Sequence, residues 1–316
     1  EALDLRGAKT KEDALNLIGR PPREFKIAYG WNDGRYSFTP DEIEPLPPIV
    51  IINTSLHRFI LNAAAKSRFM NSHAGVLAHY HSPIWVEKNF AQVLKFIMEL
   101  NRCEAPSFGN YFERLLKQGV WHTEEMSLPG GFEIELLSEN ELLDRTSCWT
   151  DWDTYRMLNN NHQANVRGIK LFADGSLGAR TAALGREYLG GEKGVLNYTE
   201  EGLAEAINRV SVLKKTLSIH AVGDAAVSQV IRVLGRVHRS HGYLPETRIE
   251  HCQFITGADA RKAKSLGVIL SMQPNFSNES LFYSDRLPPE WRLANNPFRM
   301  LIDDAGFVPG NDLLLG

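Results

Sequence analysis

Four short apolar runs in the second half of the chain carry polar residues of types that bind metals, and a helix-like stretch leads onward from each run. Strands that alternate with helices form a parallel sheet or barrel. Ligands and catalytic groups collect at the carboxyl ends of such strands. The pattern therefore predicts a functional site on or at the ends of these strands. The runs are residues 168–174, 217–220, 248–251 and 307–312, and the polar residues are Lys170, His220, His251 and Asp312.

Further strands in the same half bring the number to seven. The helix predicted after His220 is the clearest one, because its apolar residues share one face, as in the crossover of a βαβ unit. The expected fold is α/β, a (β/α)8 TIM-barrel-type sheet that is one strand short of closure. The additional strands are predicted at 119–122, 132–137 and 267–272, and the other helices at 200–215 and 258–265.

The chain before this regular pattern is expected to form a small α/β segment, covering residues 1–115, whereas residues 116–316 supply the barrel strands. Turn-forming and proline-rich stretches precede its first clear strand. Its second helix has a serine as its expected N-cap, a proline in the first position and apolar residues at helical spacing. The elements are a strand at 49–52, a helix from Phe59, and a helix from Ser82 to Leu100.

Composition narrows the class of protein. The formal charge of the 316 residues is −3, and the absence of a long basic tract argues against a nucleic-acid partner. No apolar stretch is long enough to span a bilayer, and the first residues lack a signal-peptide pattern. Three widely spaced cysteines, Cys103, Cys148 and Cys252, make a disulfide framework improbable and fit a reducing cytoplasm. A small-molecule substrate is expected, and an open barrel edge would favour self-association.

Two of the strand-end residues are histidines, which can bind zinc as neutral imidazoles. Asp312 can supply a carboxylate ligand or serve as a general base. A water bound to zinc ionises near neutral pH, and a nearby carboxylate could then move its proton to a leaving group. The combination of His220, His251 and Asp312 therefore predicts a metal site that activates water.

Lys170 lies on the strand face opposite Ile169 and Leu171, so its ammonium should point into the barrel if those two residues pack against helices. A buried ammonium is costly unless it is paired or neutral. One solution is a Schiff base with a carbonyl substrate. The other is carboxylation by carbon dioxide, which makes the lysine an anionic ligand able to bridge two metals.

Each of these residues also has a structural explanation when it is taken alone. A histidine at a strand end is often only hydrogen-bonded, a strand lysine often lies at a solvated rim, and an aspartate before a run of leucines often caps a turn. Finding all four at separate strand ends favours a site. A protein that keeps the fold without catalysis remains an alternative.

At these residues the sequence resembles the amidohydrolase superfamily, specifically amidohydrolase family 3 (the YtcJ-like branch). The segment at 168–184 is long and specific, whereas Gly-Asn-Asp at 310–312 is weak alone. The resemblance implies a metal-dependent hydrolase of carbon–nitrogen bonds other than peptide bonds, with one or two zinc ions. The matching segments lie at 168–184, 218–226, 248–253, 271–274 and 310–312, with Ser55-Leu56-His57 and Leu61-Asn62 resembling an insertion before the second barrel strand.

The same resemblance assigns roles to individual residues. It implies that Lys170 is a carboxylated bridging ligand, that His220 and His251 are ligands from the fifth and sixth strands, and that Asp312 is the acid/base of the eighth. His57 corresponds to a histidine on the substrate side. Three residues of the loop after the fourth strand either shape the pocket or hold the loop together: Asp174, Ser176 and Arg180.

The sequence departs from this family at its first barrel strand, where a His-x-His pair is expected to bind the more buried metal. No histidine precedes His57, and His79-Tyr80-His81 lies after the start of the insertion. The segment that follows the eighth-strand motif in the family is also absent from these residues. The sequence is therefore expected to be an internal part of a longer protein, with the second metal site in doubt.

Overall fold

The computed structural model describes residues 2–19, 26–100 and 105–316, with residues 105–108 described by their backbone. They form two compact units. Unit 1 comprises Glu1–Arg102 and Gly175–Thr181, and unit 2 comprises Cys103–Asp174 and Ala182–Gly316. The sequence pattern did not indicate that a loop from the barrel half belongs to the first unit. Within the described residues, no helix is long and apolar enough to cross a membrane.

Unit 1 contains a four-stranded sheet in the order β1-β2-β3-β4, in which the first three strands are parallel and the last is antiparallel. All five residues of β3 are buried, as expected for a central apolar strand. The strands are β1 (Leu3–Asp4), β2 (Lys26–Trp31), β3 (Ile49–Asn53) and β4 (Phe59–Leu61). The helices are α1 (Lys11–Gly19), α2 (Pro40–Ile43), α3 (Ala63–Phe69), α4 (Ala74–His79), α5 (Pro83–Lys88) and α6 (Phe90–Leu100).

Two sequence-based predictions in unit 1 need correction. The helix expected from Phe59 begins at Ala63, because residues 59–61 pair with β3 and the Asn62 side chain accepts a hydrogen bond from the backbone N–H of Ala65. The helix predicted from Ser82 to Leu100 is two helices, α5 and α6, that are separated at Asn89. Ser82 caps α5 as predicted.

Unit 2 is an incomplete TIM-type barrel of seven parallel strands in the order β5-β6-β7-β8-β9-β10-β11, so the predicted fold class is confirmed. The strands are β5 (Thr123–Glu125), β6 (Thr146–Thr150), β7 (Val166–Phe172), β8 (Thr216–Ala221), β9 (Thr247–His251), β10 (Ile269–Met272) and β11 (Leu313–Leu315). The helices are α7 (Ala105–Lys117), α8 (Gly131–Glu139), α9 (Trp152–Met157), α10 (Asn160–Asn165), α11 (Glu200–Leu213), α12 (Asp224–His241), α13 (Gly257–Ser265), α14 (Glu279–Phe282) and α15 (Pro289–Arg292).

The seven strands are not the seven that the sequence predicted. Residues 132–137 lie in helix α8 instead of a strand, where Ile134 and Leu137 are buried three residues apart. The strand expected at 119–122 begins later, at Thr123. Strand β6 was missed because its five residues, Thr-Ser-Cys-Trp-Thr, are buried without an apolar run or an alternation to mark them.

Candidate active site

Strand register places Lys170 and His220 on one face of the sheet in unit 2. Lys170 of β7 pairs with Ser218 of β8, and His220 follows Ser218 by two residues. Side chains two residues apart on a strand point to the same face. Ile169 and Leu171, on the opposite face, are buried in the apolar core as the sequence analysis assumed. Lys170 and His220 are therefore brought together on the inner face.

His251 reaches the same face through a break in strand geometry. Its neighbour Glu250 pairs with His220 across the sheet, so these two side chains face the same side. In a regular strand the next side chain, that of His251, would point to the opposite face. His251 and Cys252 instead have φ values of +73° and +47°, and the N–H of Cys252 donates to the carbonyl of Glu250 at 3.0 Å. Positive φ is uncommon outside glycine and concentrates at functional sites. The His220 and His251 ring centroids lie 4.7 Å apart, edge to face.

Gln273 fixes the orientation of the His251 ring. Its Oε1 lies 2.6 Å from His251 Nδ1, and Phe276 stacks on the same ring with a centroid distance of 5.7 Å. An amide oxygen can only accept, so this contact requires a proton on Nδ1. A histidine held in this way offers Nε2 as its ligand atom. The segment 271–274 matches the family resemblance, but its sequence alone does not indicate this role for Gln273.

Lys170 is buried, and its amine contacts a serine of the neighbouring strand β8 and an aromatic ring of its own strand. Nζ lies 3.3 Å from Ser218 Oγ and 5.4 Å from the centroid of the Phe172 ring. Burial lowers the pKa of Lys170 to about 8, although the Glu250 carboxylate opposes that shift. The amine therefore has a neutral fraction of about one tenth at pH 7, and carboxylation and Schiff-base formation both require the neutral form.

A buried carboxylate that the sequence analysis missed lies beside this lysine. Glu250 Oε1 accepts from Ser218 Oγ at 2.7 Å and from Arg248 Nε at 2.5 Å, and Arg248 also pairs with Glu124. Burial opposes ionisation of Glu250, but the charges of Lys170 and Arg248 outweigh it and hold its pKa below the usual range. Alternation with its neighbour Ile249, which packs in the apolar core, would have identified Glu250 as an inward-facing position.

Asp174 ties together the loops after β7 and β8. Its side chain is completely buried and accepts hydrogen bonds from the backbone N–H groups of Ala183, Val222 and Gly223 at 2.8–2.9 Å. Oδ1 also lies 3.6 Å from Nε2 of His220. These contacts favour a role for Asp174 in holding the two loops together. Contact between Asp174 and a substrate stays a prediction.

Asp312 does not lie at the carboxyl end of a strand, and this predicted placement is wrong. Strand β11 begins one residue later, at Leu313, and pairs in parallel with β10 from Leu270 onward. The Asp312 carboxylate pairs with Lys264 and accepts from the backbone N–H of Val308 at 2.7 Å. Lys264 lies in the last turn of α13, which leads to the amino end of β10. These partners hold the turn that precedes β11.

The remaining predicted residues belong to unit 1. His57 is buried, with its Nδ1 2.5 Å from Oε1 of Glu87. Arg180 adopts a φ of +59° in the loop of Gly175–Thr181, where Ser176 Oγ accepts from the N–H of Ala179 at 3.2 Å. The local His-x-His, whose histidines are His79 and His81, lies at the exposed end of helix α4 instead of on a strand. The structure thus gives this pair no place on a barrel strand.

In the ranges 2–19, 26–100 and 105–316, no group of three or more His, Cys, Asp or Glu side chains is arranged to hold a metal ion. A metal held by the two histidines would thus need a ligand of another kind, and Lys170 lies on the same face of the sheet as His220. Cys148 and Cys252 are buried free thiols, as expected for small apolar fillers, and burial raises the pKa of Cys148 to about 11. Cys103 lies outside the described residues.

Comparisons with known proteins agree with this architecture. YtcJ of Bacillus subtilis (strain 168), a protein named as an amidohydrolase, is 22% identical over 86% of this chain and 56% of its own length. The protein LONG AFTER FAR-RED 3 of Arabidopsis thaliana is 29% identical over 34% of this chain and 19% of its length. The chain thus spans little more than half the length of YtcJ.

Two solved structures share the fold over the whole chain, and both are described as uncharacterized metal-dependent hydrolases. The protein from Pyrococcus horikoshii OT3 gives a TM-score of 0.69 at 22% identity, with 66% of its chain covered. The protein from Pyrococcus furiosus gives 0.65 at 22% identity, with 68% covered. The sequence profile of the amidohydrolase family matches residues 121–314, which include strands β5 to β10 and all but the last residue of β11. With more than half of its residues in that match, the chain belongs to the amidohydrolase family.

Proposed function

We propose that this chain carries part of the active site of a metal-dependent hydrolase that cleaves carbon–nitrogen bonds of amide-like, non-peptide small molecules. The convergence of His220 and His251, with ring centroids 4.7 Å apart on the face that carries Lys170, is the observation that supports it. Membership of the amidohydrolase family supports the reaction type.

In this proposal His220, His251 and a carboxylated Lys170 hold one divalent ion, which we propose to be zinc because zinc favours imidazoles together with an anionic ligand. Such an ion, when bound, polarises an amide carbonyl and lowers the pKa of a water molecule. A second ion would need ligands beyond these three. The donor set fits, because a lysine whose pKa is about 8 is partly neutral at neutral pH and so can react with carbon dioxide.

The surrounding residues keep these donors in position. Gln273 orients the His251 ring, and Asp174 holds the backbone that follows His220 on strand β8. In the uncarboxylated state, the amine of Lys170 donates to Ser218 Oγ, and Ser218 Oγ donates to Glu250 Oε1. Asp312 has no part in this proposal, because its carboxylate is engaged with Lys264 in the turn before β11.

The test is metal analysis of the purified chain, joined to assays of N-acyl and N-formyl compounds before and after zinc addition. We expect bound zinc in the wild type and its loss in His220→Ala and His251→Ala. His241→Ala, at the exposed end of α12, is the matched control and should keep the metal. Incubation with ¹³C-bicarbonate should give a carbamate NMR signal that is absent in Lys170→Met. A chain that binds no zinc and hydrolyses none of these compounds would rule the proposal out.

A Schiff-base enzyme is the second candidate, and the depressed pKa of Lys170 is the observation that favours it. Borohydride would then trap a carbonyl substrate on Lys170, whereas a carbamate on that amine argues against this candidate.

A non-catalytic protein with the same fold is favoured by the lack, among the described residues, of a three-member group of His, Cys, Asp and Glu. Zinc binding that depends on His220 and His251, together with turnover of a substrate, would exclude this non-catalytic alternative.

A further inference from the structure

Unit 1 contains a buried hydrogen-bonded chain that links His57, Glu87 and Thr181. His57 Nδ1 lies 2.5 Å from Glu87 Oε1, and Thr181 Oγ1 donates to the same oxygen at 2.8 Å. The side chains of His57 and Glu87 are 7% and 1% exposed. A buried carboxylate with two donors is satisfied in its ionised form, so it is well suited to hold an imidazole.

The imidazole is also fixed by its backbone and by its ring face. Asn53 Oδ1 accepts from the backbone N–H groups of His57 and Arg58, each at 3.0 Å, which closes the turn after β3. The ring of Phe90 stacks on His57 at a centroid distance of 4.3 Å and an interplanar angle of 5°. Glu87 and Phe90 belong to the end of α5 and the start of α6, on either side of the helix break at Asn89.

The loop of Gly175–Thr181 supplies the third member of this chain. The N–H of Ser176 donates to Thr181 Oγ1 at 3.1 Å, which leaves the hydroxyl hydrogen for Glu87. A Cβ on Gly175 would overlap Thr181 Oγ1 and the Glu87 carboxyl group, so only glycine leaves room for this approach. The close fit explains why a segment distant in sequence folds with unit 1.

We propose that Glu87 and Thr181 are positioning residues that hold His57 in the tautomer with its proton on Nδ1, so that Nε2 is a hydrogen-bond and proton acceptor. In carboxylate–histidine pairs of this kind the carboxylate fixes the ring and the tautomer, and the second nitrogen does the chemistry. Among the described residues of unit 1, no hydrogen bond engages Nε2 of His57. The partner of Nε2 is therefore an N–H or O–H group that donates a hydrogen bond. The assignment of this donor to a substrate rests on the proposed function, whereas the tautomer of His57 does not.

The test is ¹⁵N NMR of the histidine rings in the full chain, with the His57 signals assigned by their loss in His57→Gln. We expect the neutral imidazole of wild-type His57 to carry its proton on Nδ1 and none on Nε2. Glu87→Ala should convert His57 to the tautomer mixture of a free imidazole. Thr181→Val, which removes the hydroxyl at almost constant shape, should give an intermediate mixture. The matched control is Glu99→Ala, because Glu99 Oε2 pairs with His73 Nε2 at 2.6 Å and its loss should change His73 alone.

A proton on Nε2 of wild-type His57, or a tautomer unchanged in both Glu87→Ala and Thr181→Val, would overturn the proposal. Should Glu87→Ala fail to fold, the wild-type and Thr181→Val spectra decide the question. Absence of turnover in the wild type would count against the proposed function and leave the tautomer result intact.

Discussion

The rings of His220 and His251 meet edge to face at 4.7 Å, although the residue that pairs with His220 across the sheet is Glu250. The left-handed conformation of His251 and Cys252 is what turns the second ring to the inner face. Non-glycine residues in this region cost roughly 1–3 kcal/mol and persist where the surroundings hold them. Here the hydrogen bond that His251 Nδ1 donates to Gln273 Oε1 and the burial of Cys252 supply that support.

Replacing Gln273 by alanine should weaken zinc binding by about 10–100-fold, because the His251 ring loses the contact that fixes its orientation. Competition with a chromophoric chelator measures this affinity. Gln118→Ala, an exposed residue of unit 2, is the control and should bind zinc as the wild type does. Equal affinities in the two variants would show that Gln273 does not orient the ligand.

Lys170 should make the stability of the metal-free protein depend on pH in a defined window. Its folded pKa of about 8 lies below its ordinary value of 10.5, so the unfolded chain binds more protons between these values. Relative to Lys170→Met, the wild type should gain stability as pH rises from 8 to 10.5, by at most about 3 kcal/mol. Urea unfolding of both proteins across this range, with chelator present, measures the difference. Parallel curves would contradict the shift.

Asp174→Asn should destabilise unit 2, since each carboxylate oxygen accepts from backbone N–H groups and an amide nitrogen cannot. One buried N–H left without an acceptor costs about 1–3 kcal/mol. Urea unfolding measures the loss, and Asp304→Asn at an exposed position is the control. A loss no larger than that of the control would mean that the loops after β7 and β8 are held by other contacts.

Gly168→Ala should disrupt strand β7 near Lys170. The added Cβ would overlap the Thr216 hydroxyl and the Trp149 ring and would lie 2.5 Å from the backbone oxygen of Thr216. Overpacking of this kind costs about 1–3 kcal/mol. Gly235→Ala is the control, because its Cβ meets flexible side-chain ends at 3.3 Å or more within helix α12. Thermal unfolding of the two variants should differ clearly, and similar midpoints would contradict the steric argument.

Asp312→Asn should leave zinc content unchanged and alter only the response to acid. Burial raises the pKa of Asp312, but the Lys264 ammonium and the Val308 N–H outweigh it and hold the pKa below its ordinary value. The ion pair therefore stabilises the folded protein at pH values above the ordinary pKa of a carboxyl group. This stabilisation is lost as the pH falls through the lowered pKa of Asp312. Acid unfolding should show a steeper loss for the wild type than for the variant. Loss of bound zinc in Asp312→Asn would instead return Asp312 to the candidate site.

The sequence by itself determined the alternation of strands and helices, the parallel sheet, and the neighbouring positions of Lys170, His220 and His251. These follow from short-range patterns, because period-two and helical spacing are properties of the local chain. Local patterns also misled, since the short alternation at 132–137 fits a strand as well as the helix that forms there. Buried β6 had no local signal at all.

Only the tertiary structure decided what each side chain contacts. The left-handed turn at His251, the carboxylate of Glu250 beside Lys170, and the return of Gly175–Thr181 to unit 1 depend on residues far apart in sequence. The same is true of Asp312, which precedes strand β11 and whose partner Lys264 lies in helix α13. Sequence periodicity assigns a residue to a face of an element, whereas packing between elements decides which groups meet and what their pKa values become.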